Sequence, residues 1–290
     1  MKKWILIGVV IVGAGWFLST RKGKVLQKTA MTYVHTPSYI NKQGATVLER
    51  TITLDGYTRK EYPTHSFSAY IQKYLLHPYG TEVINYDGNP YVYQAGHIGV
   101  FTLPVPSDGL QQCADALIRL RAEYLWDRNK KEDIGFNFTS GDYCSWDKYA
   151  QGFRPKINGS DVTFQKTATK DHSKENFYRY LKLIYTYSGT LSLFHELPKV
   201  STIEDVEVGD MLIHPGSPGH VMMVVDKSTN AAGENLLIFA QGNTPAQSVH
   251  MIKNPNDPAI SPWYEIELGT RLDIPTYSFT NVQFVRFKDQ

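Results

Sequence analysis

The sequence predicts an α+β fold, in which an antiparallel sheet from the C-terminal third packs against one central helix that carries Cys113. Two observations support this class. Apolar residues recur at helical spacing over residues 109–126. After Val206 the chain changes to short apolar runs punctuated by glycine and proline, a pattern typical of strands joined by turns. Strands and a short helix that precede the long helix are expected to embellish this core.

Length and composition favour one large domain. The chain has 290 residues, of which 42% are hydrophobic, and this is enough to bury a substantial core. The formal net charge is +2 and the body contains no long basic run, so the sequence does not indicate a nucleic-acid partner.

The N-terminus differs from the body. Two lysines precede an uncharged run, residues 4–18, and basic residues follow it. This pattern predicts that residues 1–20 are a signal anchor or signal peptide, which makes the membrane a partner. Residues 21–37 are expected to be a linker, and residues 38–290 a single α+β domain. The body of the protein is therefore expected outside the cytoplasm or on the membrane, either membrane-anchored or secreted.

Three elements are predicted before the long helix. Val47 to Tyr57 alternates apolar and polar residues, which predicts a strand that ends at the turn Asp55-Gly56. Ser66 is expected to cap a short amphipathic helix that extends to Leu76. Residues 81–85 and 91–101 are expected to pair as a hairpin.

The long helix is predicted over residues 109–126, with Asp108 as its N-cap. Cys113 then lies near its start, and two interpretations stay open. A free cysteine is often an inert core residue. The start of a helix also favours the thiolate, so Cys113 is a candidate nucleophile. Asp115 and Arg119 belong to an i, i+4 row of alternating charge, which is expected to be a solvated or domain-facing salt-bridge row, or else to bind a polar substrate.

Residues between the long helix and the C-terminal strands carry weaker patterns. A strand is predicted over residues 134–138, with Cys144 in the turn beyond it. Helical sequence is predicted around residues 146–150, and residues 158–171 are expected to form a polar loop. A second long helix is predicted over residues 174–193, with a kink or an end at Gly189.

His220 opens the apolar run Val221 to Val225, and Gln241 ends the run that follows. Antiparallel pairing of these two strands would bring both residues to the same end of the sheet. A cysteine hydrolase needs a thiol, an imidazole that accepts its proton, and a third polar group that holds the imidazole. Gln241 or Asn243 is the expected third group.

The stretch GDMLIHPGSPGHVMMVVD followed by LLIFAQG resembles the second half of NlpC-type papain-like cysteine peptidases. The resemblance implies a papain-like layout, with Cys113 as nucleophile, His220 as base and Gln241 as the third polar residue. It also implies cleavage of an amide bond, with a cell-wall peptide as the associated substrate. Around the nucleophile the usual Asp-Cys-Ser-Gly is replaced by Gln112-Cys113-Ala114-Asp115.

Nearly the whole body resembles a bacterial envelope family known as domain of unknown function 4846. The resemblance rests on the stretches LQQCADALIRLRAEYLW, FNFTSGDYCSW, YSGTLSLFHEL and FAQGNTPAQSVHMIKNP, together with the strand region around His220. It implies a family and no particular reaction.

No cofactor and no metal site is predicted, because the nine histidines show no paired ligand spacing and no glycine-rich phosphate motif is present. Two other functions remain open beside the hydrolase. One is a non-catalytic envelope binding protein on the same scaffold. The other is a structural domain stapled by a disulfide between Cys113 and Cys144.

Overall fold

The computed structural model describes residues 20–34 and 37–288. They form a mixed fold in which every strand pairing is antiparallel. The predicted anchor, except Thr20, lies outside the described residues. Within the described ranges, no helix combines the length and the apolar character needed to cross a membrane.

Seven α-helices occur in the described residues: α1 (Arg21–Val34), α2 (Val47–Arg50), α3 (Phe67–Gln72), α4 (Cys113–Asp127), α5 (Trp146–Ala150), α6 (Lys174–Tyr187) and α7 (Thr190–Glu196). The segment predicted as a linker thus contains a helix, α1. The break between α6 and α7 falls at Gly189, which confirms the expected end of the second long helix.

The strands of the first half are β1 (Tyr57–Arg59), β2 (His97–Val100), β3 (Gly135–Asn137), β4 (Tyr143–Ser145), β5 (Phe153–Asn158), β6 (Asp161–Lys166) and β7 (Lys199–Val200). Those of the second half are β8 (Met211–His214), β9 (His220–Asn230), β10 (Asn235–Gln241), β11 (His250–Ile252), β12 (Tyr264–Glu265), β13 (Leu272–Ile274), β14 (Tyr277–Phe279) and β15 (Phe284–Val285).

The main sheet of the described chain contains nine strands in the order β2-β11-β10-β9-β8-β15-β7, with β1 added on β9 and β12 on β10. The predicted β9–β10 hairpin is confirmed, and its strands start at His220 and end at Gln241 as expected. Helix α4 packs on β9 and β10 and also contacts α6. It is buried on nearly every side, so three of its charged residues, Asp115, Arg119 and Arg121, are in the interior too.

Several local predictions were wrong. The predicted strand at Val47 is the helix α2, because Thr46 and Glu49 form a reciprocal capping box. Cys144 lies in strand β4 and not in a turn. The predicted polar loop after Asn158 contains half of the β5–β6 hairpin, whose turn is Asn158 to Asp161. The hairpin expected over residues 81–101 is reduced to one isolated bridge, and β2 pairs with β11 instead.

Candidate active site

Cys113 is the first residue of α4. The sequence-based prediction placed the helix start four residues earlier, and the structure corrects it. Asp108 does not cap the helix: its carboxylate accepts the Leu110 N–H at 3.2 Å and pairs with Lys182 at 2.8 Å. The N-cap is Gln112, whose backbone N–H donates to Asp115 Oδ2 at 3.0 Å. Cys113 therefore lies at the N–H end of the helix, where backbone donors lack intrahelical partners.

His220 and Gln241 lie side by side at the end of the sheet. His220 Nε2 and Gln241 Oε1 are 2.7 Å apart. Since the amide oxygen can only accept, Nε2 of the imidazole is the donor. Nδ1 of the same ring forms no hydrogen bond with any other described residue. The sheet thus fixes one ring nitrogen of His220 and leaves the other available.

Cys113 and His220 line the same cleft, which has a volume of about 630 Å³. The N-terminus of α4, the loop from Gly216 to Gly219, the start of α7 and Tyr277 form its walls. The backbone N–H groups of Ala114, of Val221 (the residue after His220) and of Cys113 itself act on the thiol and lower its pKa, against the larger effect of burial. No hydrogen bond joins the thiol directly to the imidazole in the described residues.

Two glycines allow these elements to approach. A Cβ on Gly242 would lie 3.1 Å from the Ala116 Cβ and 3.2 Å from the Gln112 oxygen, so the end of β10 rests directly on the start of α4. A Cβ on Gly219 would lie 2.3 Å from Thr190 Oγ1, so the loop before His220 also lacks room for a side chain.

The buried thiol and imidazole are both neutral at rest. Burial, reinforced by the Asp115 carboxylate, raises the pKa of Cys113 to about 11. The helix start was expected to favour the thiolate, but a helix terminus contributes only about 0.3–1 kcal/mol, less than one pKa unit. The effect of burial on the pKa of Cys113 is therefore the larger of the two. Burial also lowers the pKa of His220 to about 4, against the smaller opposite effect of the Gln241 hydrogen bond.

Asp115 is buried in the same cleft with only half of its hydrogen-bonding capacity used. Its Oδ2 caps the helix, whereas Oδ1 is sealed from solvent and has no partner in the described part of the chain. Burial raises the pKa of this carboxyl to about 7. Asp115 can therefore act on a bound molecule through its negative charge, since neither oxygen is both unpaired and exposed to solvent.

The other predicted site residues lie in different places. Asn243 is at the rim of the cleft, and Gln241, not Asn243, contacts His220. Arg119 lies outside this cleft and is held by Glu123 at 2.9 Å and by Gln111 Oε1 at 2.8 Å. The charged row was expected to be a solvated or a domain-facing salt-bridge row. Asp115 and Arg119 are both buried and Arg119 pairs with Glu123, which excludes the solvated alternative and agrees with the second.

Two interactions were not predicted from the sequence. The Tyr277 ring lies 4.8 Å from the His220 ring, and Tyr277 belongs to the β13–β14 hairpin. No local sequence pattern predicts this contact. His250 lies behind Gln241, with His250 Nε2 and Gln241 Nε2 3.4 Å apart. Its position at the start of an apolar run, as for His220, was the available signal. Both cysteines are free thiols, so the disulfide alternative is excluded.

The fold and the cleft define a mixed α/β protein with a cysteine and a histidine facing one cavity. Comparison with family sequence profiles identifies it further: the chain belongs to the family called domain of unknown function 4846, whose profile matches residues 47–286. The matched region contains the whole cleft. Neither the search of curated proteins nor the search of solved structures found a match.

Proposed function

We propose that the protein is a cysteine hydrolase that cleaves an amide bond. Cys113 is the nucleophile, His220 the general base, and Gln241 the residue that holds the imidazole. One observation supports this proposal most directly. Gln241 holds the His220 ring by a hydrogen bond of 2.7 Å, and that ring lines the same cleft as the Cys113 thiol. A thiol, a base and an orienting group are the three parts that nucleophilic catalysis requires.

In the proposed reaction, the thiol proton passes to His220 Nδ1 while the sulfur attacks the carbonyl carbon. The carbonyl oxygen takes up the negative charge, and the backbone N–H groups at the start of α4, on Cys113 and Ala114, are positioned to stabilise it. The imidazolium returns the proton to the departing amine, which leaves a thioester on Cys113. Water, deprotonated by His220, then hydrolyses the thioester and regenerates the thiol.

The neutral resting pair is compatible with this reaction. The pKa values of Cys113 and His220, about 11 and about 4, differ by about 7, so moving the proton costs about 10 kcal/mol. Attraction between the resulting charges returns about 4 kcal/mol at contact distance and an effective dielectric constant of 20. The remaining cost is well below a barrier of about 16 kcal/mol, which corresponds to about 10 turnovers per second.

Asp115 and Asn243 are proposed to bind substrate. Asp115 Oδ1 is sealed from solvent, so we assign Asp115 a role through its charge: a carboxylate beside the cleft favours a substrate with an ammonium group near the scissile bond. Asn243 at the rim can contact a peptide amide. Arg119 belongs to a separate, mainly apolar pocket of about 260 Å³ and would bind only a substrate that extends that far.

The resemblance to NlpC-type peptidases supports a papain-like layout, in which a cysteine at a helix start faces a histidine at a strand start. It also motivates the proposed place and substrate: the bacterial cell envelope, with residues 1–20 as anchor and a cell-wall peptide as substrate. The chain between Cys113 and His220 is longer than that family usually allows, so the resemblance needs an insertion there. We assign the β3–β4 and β5–β6 hairpins to it.

A non-catalytic binding protein is the second candidate, and one observation favours it. Burial holds Cys113 in the protonated form, with its pKa raised to about 11, and no hydrogen bond to His220 among the described residues offsets this. On this alternative the cleft binds an envelope peptide without cleaving it.

Digestion of cell-wall peptides by the full chain distinguishes the two candidates. Mass spectrometry is expected to show new amine termini with wild-type protein and at least about 1000-fold slower cleavage with Cys113→Ala. Cys144→Ala, which removes the other buried free thiol, is the matched control and is expected to cleave normally. Binding of peptides without cleavage would establish the binding protein, and cleavage by Cys113→Ala would refute the nucleophile.

A further inference from the structure

His250 stands directly behind Gln241, on the neighbouring strand. Gln241 of β10 and His250 of β11 are register partners, so their side chains share a face of the sheet. His220, at the start of β9, is on the other side of Gln241 and bonds to its oxygen. Three side chains on three adjacent strands therefore form one polar row that ends in the cleft.

The surroundings of His250, at the buried end of the row, determine which nitrogen atoms of the row carry protons. His250 Nδ1 lies 2.9 Å from the backbone oxygen of Ser248, which can only accept a hydrogen bond. Nδ1 therefore carries the proton of the neutral ring. Burial, which lowers the pKa of His250 to about 4, keeps that ring neutral. Nε2 of His250 is consequently a bare acceptor, and among the described residues its hydrogen-bond partner is the Gln241 amide.

The amide of Gln241 must then turn its NH₂ group towards His250 and its oxygen towards His220. The opposite orientation would set the amide oxygen against the bare Nε2 of His250, two acceptors face to face. An oxygen facing His220 requires a proton on His220 Nε2, which leaves Nδ1 bare. A backbone carbonyl thus determines, through two side chains, which nitrogen of His220 is basic.

We propose that His250 is a positioning residue that sets the tautomer of His220 through Gln241. The inference rests on the proposed function for its purpose, since a bare Nδ1 is what a base for Cys113 needs. The positioning of His220 by His250 follows from the geometry of the three strands and does not depend on the proposed function. His250 does not touch a substrate in the cleft and acts only through Gln241.

The ring tautomers can be read directly. In the full chain labelled with ¹⁵N-histidine, long-range ¹H–¹⁵N correlation at neutral pH is expected to show His220 protonated on Nε2 and His250 protonated on Nδ1. Peaks are assigned from single histidine substitutions. A proton on Nδ1 of His220, or on Nε2 of His250, would overturn the proposal without any variant.

Substitution of His250 provides a second test of its positioning role. His250→Phe removes the acceptor that orients Gln241 while it keeps a ring of similar size. The ratio of the Nε2–H to the Nδ1–H form of His220 is expected to fall by at least about tenfold, as the loss of one oriented hydrogen bond implies. His97→Phe is the matched control, because the His97 ring lies 6.2 Å from that of His250 and has no bond to Gln241.

An unchanged His220 tautomer in a folded His250→Phe protein would refute the role of His250. The measurement is independent of turnover. If the tautomers are as predicted but the protein cleaves no amide, only the hydrolase proposal is refuted. If the protein cleaves an amide but the tautomers are the opposite ones, only the positioning role of His250 is refuted.

Discussion

At the scale of single residues, Asp115 shows the conflict between stability and a binding role most clearly. One carboxylate oxygen caps the helix that carries the nucleophile, and the other is buried without a partner in the described residues. Such an atom costs about 1–3 kcal/mol, more when the group is charged. The arrangement is understandable if the negative charge beside the cleft attracts a cationic group of a bound molecule.

Asp115→Asn is predicted to be more stable than the wild-type protein, by an amount that grows as pH rises. The folded-state pKa of this carboxyl is about 7, against about 3.9 when it is unfolded, so the folded state holds the extra proton between those values. Wild-type stability from this group is therefore full below pH 4 and lost as pH rises towards 7, by about 1.4 kcal/mol per pH unit. Asparagine removes this slope and retains an oxygen for the cap. Denaturant unfolding of both proteins between pH 4 and 8 measures the difference, and a difference independent of pH would contradict the assignment.

The same substitution should make Cys113 more reactive. After burial, the Asp115 carboxylate is the next cause of the raised pKa of the thiol. Alkylation of Cys113 by iodoacetamide is therefore expected to begin at lower pH in Asp115→Asn, whereas alkylation of Cys144, in a separate part of the core, should be unchanged. Equal profiles for Cys113 in the two proteins would show that the carboxylate does not act on the thiol.

Residue-level predictions from the sequence succeeded where the chemistry follows from position along an element. His220 and Gln241 lie at the ends of two strands that pair as a hairpin, and a hairpin brings such ends together. The pKa values could not be predicted in the same way, because burial of Cys113 depends on α7, the Gly216–Gly219 loop and Tyr277, which come from distant parts of the chain.

At the scale of elements, the start of α4 shows what local patterns miss. Asp108 followed by Gln111 matches a capping box, but Asp108 is used by a turn and by Lys182 of α6. The true cap pairs Gln112 with Asp115. A tertiary contact therefore moved the helix start to Cys113. The missed β5–β6 hairpin is different, since Asn158-Gly159 is a strong hairpin signal that local reasoning could have used.

Gly242→Ser is predicted to disrupt the site by separating two elements. Its Cβ would press on Ala116 and Gln112, so the end of β10 must shift away from α4 and carry Gln241 with it. We expect a loss of about 1–3 kcal/mol in unfolding free energy, as for other overpacked positions, together with loss of activity.

Gly189→Ser is the matched control, because a Cβ at Gly189 meets open space and serine is a good N-cap for α7. Its stability should change by no more than about 0.5 kcal/mol. Equal stability of the two serine variants would show that the close approach at Gly242 is not needed.

At the scale of the whole molecule, β9 joins the N-terminal segment to the site. Asp226 of β9 accepts hydrogen bonds from Thr51, Arg59 and Gln72, while His220 at the other part of the strand faces the cleft. These bonds give Asp226 a structural role. The N-terminal elements are thus part of the same core.

The antiparallel hairpin at the centre of the sheet was predictable, but the order of the whole sheet was not. Pairing of β2 with β11 joins residues about 150 apart, and β15 lies between β7 and β8. Such pairings depend on packing against helices that local sequence patterns do not specify. The papain-like layout and the hydrolase function therefore remain proposals, whereas membership of the family is established.

The central claim is that His220 activates Cys113, and acylation by a small activated ester tests it without knowledge of the natural substrate. Intact-mass and peptide mass spectrometry of the full chain treated with p-nitrophenyl acetate should locate a thioester on Cys113 and none on Cys144. In His220→Asn, whose amide can still bond to Gln241 but cannot act as base, acylation should be at least about 100-fold slower. An unchanged rate in His220→Asn, or equal acylation of the two cysteines, would contradict the account.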